Sequence, residues 1–176
     1  SIHAREKSLI SREAAKLIRN NTVIFLDAST TAAYLTEYLR PQQQVTVVTN
    51  GLMTAVQLRS KGIRSYCLGG EIVGSSLAAG GPIALDAVRN FNIDLLFFSS
   101  YGVNDRGDIV DTSESETMLR RSILRSAAES VFLCDSSKFG KQSIYNCASL
   151  GDVDYFVTDA RPPEHYPSVR KELLLV

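Results

Sequence analysis

Residues 22–31 read Thr-Val-Ile-Phe-Leu-Asp-Ala-Ser-Thr-Thr, an apolar, β-branched run that stops at Asp27 and enters a helical pattern through small hydroxyl residues. A continuous apolar run marks a strand buried on both faces, the usual state of a parallel sheet. A helix that begins directly after such a strand aims its unpaired backbone N–H groups at the strand's end. That terminus attracts anions, phosphate above all. Ser, Thr and Asp are equally ordinary helix caps, so this stretch alone supports either a phosphate site or a plain cap. The same punctuation then recurs. Val45–Val48 ends in Thr49-Asn50-Gly51, Arg64–Leu68 in Gly69-Gly70, Ile93–Phe98 in Ser99-Ser100-Tyr101-Gly102, and Val131–Cys134 in Asp135-Ser-Ser-Lys138. Ligands of open α/β sheets bind outside the carboxyl ends of the strands. Five small-polar clusters at five strand ends are therefore expected along one edge of one sheet.

The rest of the chain fits that pattern. Apolar residues at helical spacing predict helices over 4–20, 30–39, 51–60, 82–89 and 116–128. Strands are predicted near 22–27, 45–48, 64–68, 93–98, 131–134 and 153–158, and strands alternating with helices indicate parallel βαβ units. Pro82 suits a first helical turn, and Ser113 with Glu116 has capping-box spacing. Residues 69–81 are too glycine-rich for a regular element and are expected to form a loop or short hairpin over the strand ends. At 176 residues the chain reads as one α/β domain, without repeats or linkers.

Several functions are disfavoured by composition. Lys+Arg and Asp+Glu both number 19, so the chain lacks the basic surplus of a nucleic-acid-binding module. Three cysteines at irregular spacing suit a reducing cytoplasm, with Cys67 and Cys134 read as small hydrophobes inside strands. His3 and His165 lie near the chain ends, so neither histidine catalysis nor a metal site is expected. No dinucleotide fingerprint and no Gly-Lys-Ser/Thr phosphate loop is present. No stretch has the length of a membrane span and no secretory leader is visible, which points to the cytoplasm and away from membranes.

Asp27-Ala-Ser-Thr-Thr31, Thr49-Asn50, Leu68-Gly-Gly70, Gly80, Tyr101-Gly102-Val103, Glu116, Asp135-Ser-Ser-Lys-Phe-Gly140 and Leu150–Asp159 together resemble the effector-binding domain of DeoR-type transcriptional repressors. The resemblance covers nearly the whole chain. It implies a Rossmann-like, mostly parallel sheet flanked by helices, shared with ribose-5-phosphate isomerase, glucosamine-6-phosphate deaminase and coenzyme A transferases. It also implies that residues 1–20 form a connecting helix from an absent N-terminal helix-turn-helix part, and that 21–176 form the sensor. The implied effector is a phosphorylated sugar or sugar alcohol, with no cofactor; operator DNA is contacted only through the absent part. Regulators that read paired half-sites are symmetric oligomers, so a homo-oligomer is expected.

On that resemblance Ala28, Ser29, Thr30, Thr31 and Lys138 are the expected phosphate ligands, with Lys138 supplying a point cation. The sugar-facing candidates are Asp27, Thr49, Asn50, Gly69, Gly70, Tyr101, Gly102, Asn104 and Glu116. Several keep a second role. Asp27 accepts either from a sugar hydroxyl or from loop N–H groups. Thr49 and Asn50 suit a turn as well as a ligand. The glycines let backbone approach closely. Glu116 is a sugar ligand or a capping acid paired with Arg120 at i,i+4. Arg120, Arg121 and Arg125 are read as a solvated face or an interface. The competing reading is an isomerase using Lys138 with a carboxylate base. Asn104 cannot be that base, and turn chemistry accounts for Asp105 and Asp108, so no catalytic residue is assigned and a sensor is expected.

Overall fold

In a computed structural model describing residues 2–176, the chain opens with helix α1 (Ala4–Ala15) and strand β1 (Val23–Leu26). There follow α2 (Thr30–Tyr34), β2 (Thr46–Thr49), α3 (Leu52–Ser60), β3 (Arg64–Cys67), β4 (Glu71–Val73), β5 (Ala78–Gly80) and α4 (Gly81–Val88). The second half contains β6 (Leu95–Phe98), β7 (Gly102–Val103), β8 (Asp108–Asp111), α5 (Glu114–Ser126), β9 (Glu129–Leu133), β10 (Tyr145–Ser149), β11 (Tyr155–Thr158) and β12 (Glu172–Leu175). The seven strands of the main sheet run in the order β12-β11-β9-β6-β1-β2-β3. Every pairing in it is parallel. The carboxyl ends of β1, β2, β3, β6 and β9 therefore lie on one edge, as expected from the five polar clusters.

Alternation along the strands builds two cores. Ile24 and Leu26 of β1 join Val47, Leu95, Phe97, Val131 and Leu133 under Ile10 and Ala14 of α1, Ala32 of α2 and Leu58 of α3. Phe25 points the other way, to Val48, Leu96, Phe98, Phe132 and Phe156, beneath α4 and α5. With both faces covered, continuous apolar strands are the composition the fold requires. Phe98, Phe132 and Phe156 stack in a row, with ring centroids 5.2 and 5.3 Å apart.

Three local readings are corrected. The opening helix stops at Ala15, and its continuation tightens, Leu17 and Ile18 donating to carbonyls three residues back. Residues 30–39 form a five-residue α-helix followed by a 3₁₀ turn over Leu35–Tyr38. Cys67 is exposed on the edge strand β3, whereas Cys134 is buried; burial pushes its thiol pKa up to about 12. A small antiparallel sheet, β10-β8-β7, and the edge strand β12 were not anticipated. The glycine-rich stretch is indeed a hairpin, β4–β5, docked on the end of β2 through Ala79 N–H to Asn50 O and Leu52 N–H to Leu77 O.

Candidate functional site

The strand order reverses at β1, from which β2 and β3 lie on one side and β6, β9, β11 and β12 on the other. A reversal of this kind opens a crevice outside the strand ends, here between β1 and β6. Asp27 ends β1 and is 1% exposed. Its Oδ1 accepts from Ser29 N–H at 3.0 Å and from Ser29 Oγ at 2.5 Å. Its Oδ2 accepts from Ser99 N–H at 2.9 Å, at the end of β6. Asp27 thus fixes the loop, which is one of the two roles its position allowed. Ser29 caps α2 by accepting from Ala32 N–H at 3.1 Å. The N–H groups of Ala28, Thr30 and Thr31 have no protein acceptor among the described residues. Three free donors follow a carboxylate already saturated by its own loop.

Lys138 reaches the same crevice from β9. Its ammonium donates to Ser99 Oγ at 3.3 Å and to Ser100 O at 2.8 Å, so it lies over the end of β6 instead of extending into solvent. Asp135 shapes its loop by accepting from Ser137 N–H at 3.1 Å and from Ser137 Oγ. Ser99 is therefore the meeting point, touched by Asp27 on one side and Lys138 on the other. A shallow cleft of about 550 Å³ lined by Thr30, Ala33, Gln57 and Lys61 opens beside the loop; Asp27, Ser29 and Lys138 are not in its wall.

Arg120 is not on a solvated face. It is 4% exposed, with Nε 3.1 Å from Asp27 Oδ2, Nη1 2.6 Å from Asp111 Oδ2 and Nη2 3.5 Å from Glu116 Oε1. Arg121 and Arg125 are exposed, as expected. Burial opposes the Arg120 charge, yet the carboxylates of Asp27, Glu116 and Asp111 outweigh it and raise its pKa. Glu116 is raised chiefly by burial, partly offset by Arg120. Its N–H is capped by Ser113 Oγ at 3.2 Å, while Ser113 N–H turns to Asp111, so only half of the expected capping box forms. One cation against three acids leaves this end of the crevice acidic.

The remaining candidates divide between ligand and scaffold. Thr49 is buried and its Oγ1 accepts from Gly51 N–H at 3.0 Å, a turn role. Asn50, 2% exposed, donates to Ala79 O at 3.1 Å, and its Oδ1 has no donor among the described residues. The adjoining Gly51 packs on Ala28; a Cβ there would come within 3.1 Å of Ala28 Cα. Asn104 spends its Oδ1 on Arg106 and Asp108 N–H groups and its Nδ2 on Gln142. A Cβ on Gly102 would meet Lys141 at 2.6 Å and Lys138 O at 3.0 Å. Close approach there serves the Lys138 loop. Gly70 (φ +145°) is filled in the same way by Gly80 O at 2.6 Å, whereas Gly69 faces open space. Tyr101 is exposed, with Lys141 Nζ 5.2 Å from its ring centre. Asp111 left no signal in the sequence; Ser99 was visible only as part of a polar strand end, and Arg120 only as the i,i+4 partner of Glu116, a pair that forms.

The fold and its polar switch-point loops define an α/β domain of Rossmann-like design. Ribose-5-phosphate isomerase in complex with phospho-erythronic acid has the same architecture at 18% identity and a TM-score of 0.55, over 76% of this chain and 52% of that one. So does eIF2B delta from Chaetomium thermophilum, at 16% identity and 0.62, over 87% and 55%. The family described as the DeoR C terminal sensor domain matches residues 2–160, and the chain belongs to it. Among its relatives are the HTH-type transcriptional regulator YulB of Bacillus subtilis (33% identical, over 88% of this chain and 60% of the relative) and GolR of Listeria innocua (34%, 88% and 61%). The glycerol-3-phosphate regulon repressor of Escherichia coli is 30% identical over 90% of this chain and 63% of its own length. The chain thus spans about three fifths of these regulators. No helix among the described residues is long and apolar enough to cross a membrane.

Proposed function

We propose that this domain is the effector sensor of a cytoplasmic, homo-oligomeric sugar-operon regulator, and that it binds a phosphorylated sugar or sugar alcohol in the β1/β6 crevice. The observation that carries the reading is the convergence of the Asp27–Thr31 loop and Lys138 on Ser99. Free N–H groups of Ala28, Thr30 and Thr31, with Lys138, hold the phosphate. The orphan Oδ1 of Asn50 accepts from a sugar hydroxyl, and Glu116, at the acidic end, takes another. The helix-turn-helix part named in the relatives would contact operator DNA, with residues 1–20 as the connection. Effector and operator then compete by favouring different states of one protein.

Binding without turnover is the preferred chemistry. A proton-abstracting base must be free to reach its substrate, and here the carboxylates of Asp27 and Asp111 are spent on their own loops and on Arg120. A panel of aldose and ketose phosphates is expected to raise the melting temperature with one or a few members, without interconversion by NMR. Lys138→Ala should abolish that stabilisation, at a cost to unliganded stability of about 1–2 kcal/mol for the lost bonds to Ser99 and Ser100. Interconversion that disappears in Lys138→Ala would replace the sensor with an isomerase.

A further inference from the structure

Helix α5 carries opposite electrostatics on its two sides. Inward, Arg120 is enclosed by the carboxylates of Asp27, Asp111 and Glu116. Outward, Arg121 and Arg125 stand one helical turn apart, a spacing at which like charges repel. They line an open cleft of about 490 Å³ together with Arg170, from the segment leading into β12. The backbone of Arg170 is fixed there, its N–H donating to Val153 O at 2.9 Å. Buried Cys147 and half-buried Leu124 supply an apolar part of the wall. None of the three guanidinium groups has a carboxylate within 4 Å or a hydrogen-bond acceptor among the described residues. The single acid of the wall, Asp152, is partly spent, its Oδ2 accepting from Ser149 N–H at 3.1 Å.

An arginine cannot shed its charge, so three of them in one cleft repel one another until solvent or a ligand intervenes. Arginines elsewhere on the surface are compensated within the fold: Arg19, Arg89 and Arg106 each face a carboxylate. The guanidinium fork matches the oxygens of phosphate and carboxylate bidentately, and forks on two separate elements are met by separate oxyanion groups. The volume falls within the range of small-molecule sites, and the wall of Leu124 and Cys147 suits a short carbon skeleton. A DNA duplex, broad and convex, does not enter a cleft of this size. We infer that this cleft is a second anion site, separate from the β1/β6 crevice, and that it takes a small molecule with two or more phosphate or carboxylate groups. The inference goes beyond the sensor reading and does not depend on it.

The test is an NMR titration of the protein at constant ionic strength with inorganic pyrophosphate and, in parallel, with citrate. The amides of Leu124, Cys147 and Arg170 are expected to shift saturably with at least one of them, about tenfold more tightly than with orthophosphate. The tighter of the two distinguishes a phosphate from a carboxylate ligand. Arg121→Gln, Arg125→Gln and Arg170→Gln should each weaken it by about tenfold. Arg59→Gln, which removes an exposed arginine from α3, should not. Shifts that are absent from these three amides, or confined to the β1–α2 and Lys138 loops, would overturn the inference. Equal weakening by Arg59→Gln would reduce the effect to net charge and overturn it as well. Displacement of the anion by a short random-sequence duplex, with the same three variants losing the duplex, would make the arginines a DNA contact and end the small-molecule reading.

Discussion

The loops after β1 and β9 are built on the same turn and end in different electrostatic states. In each, an Asp just past the strand, one residue after β1 and two after β9, accepts through Oδ1 from the N–H and hydroxyl of the Ser two residues on: Asp27 with Ser29, Asp135 with Ser137. The second carboxylate oxygen separates them. Asp27 Oδ2 takes Ser99 N–H and the Arg120 guanidinium. Asp135 Oδ2 is buried without a donor among the described residues. Identical turn chemistry therefore yields a locked, charge-compensated loop at β1 and a loop at β9 that keeps an unspent acceptor and a cation, Lys138, at the crevice. The turn fixes backbone shape; its partners in the third dimension decide what remains for a ligand.

The largest expected effect tests the locked loop. Arg120→Met keeps the bulk of the side chain but strands Asp27 and Asp111 as buried carboxylates. Removing one partner of a buried ion cluster costs about 3–5 kcal/mol, so the urea midpoint should fall sharply. A variant as stable as the parent would mean that the cluster is solvated or protonated, and the contrast with Asp135 would vanish.

The two aspartates can then be compared by one change of the same kind. Asp27→Asn keeps the Oδ1 acceptor for Ser29 but turns an amide NH₂ toward two donors, Ser99 N–H and Arg120 Nε. Two charge-assisted hydrogen bonds are lost, and a loss of about 2–4 kcal/mol is expected. Asp135→Asn places the same NH₂ where no donor waits, so its cost should stay within about 1 kcal/mol. Equal destabilisation of the two variants in chemical denaturation would erase the distinction.

Much of this was legible in the residues, for identifiable reasons. Strands covered on both faces must be apolar throughout, so β1, β6 and β9 stand out, and their polar stops mark the ligand edge. β8 (Asp-Ile-Val-Asp) and β10 (Tyr-Asn-Cys-Ala-Ser) carry no such signal because their pairing is long-range, β10 register-shifted at Asn146/Ala148. Ser99 meets Asp27 through a backbone N–H, which every residue but proline has, and only its Oγ, facing Lys138, is particular to the residue. Arg120 was misplaced because an isolated arginine is more often solvated than buried. The acids that bury it come from β1 and β8, 93 and 9 residues away in sequence, and only the fold brings them together.

The smallest effect concerns the rim of the cluster, where Glu116 has no counterpart in the β9 loop. Burial raises its pKa above the ordinary 4.5, and Arg120 only partly offsets this. A carboxyl whose pKa is higher in the fold than in the unfolded chain contributes stability below the unfolded pKa, and that contribution is lost as pH rises through the folded one. Glu116→Gln carries a permanently neutral group of the same shape. It should therefore melt above the parent at pH 7, and the two curves should converge below about pH 4, where the parent is protonated as well. Convergence in the opposite direction, with the parent the more stable at pH 7, would mean that the 3.5 Å contact with Arg120 outweighs burial. Glu116 would then belong with Asp27 and Asp111 as a full member of the locked cluster, with no capacity left for a sugar hydroxyl.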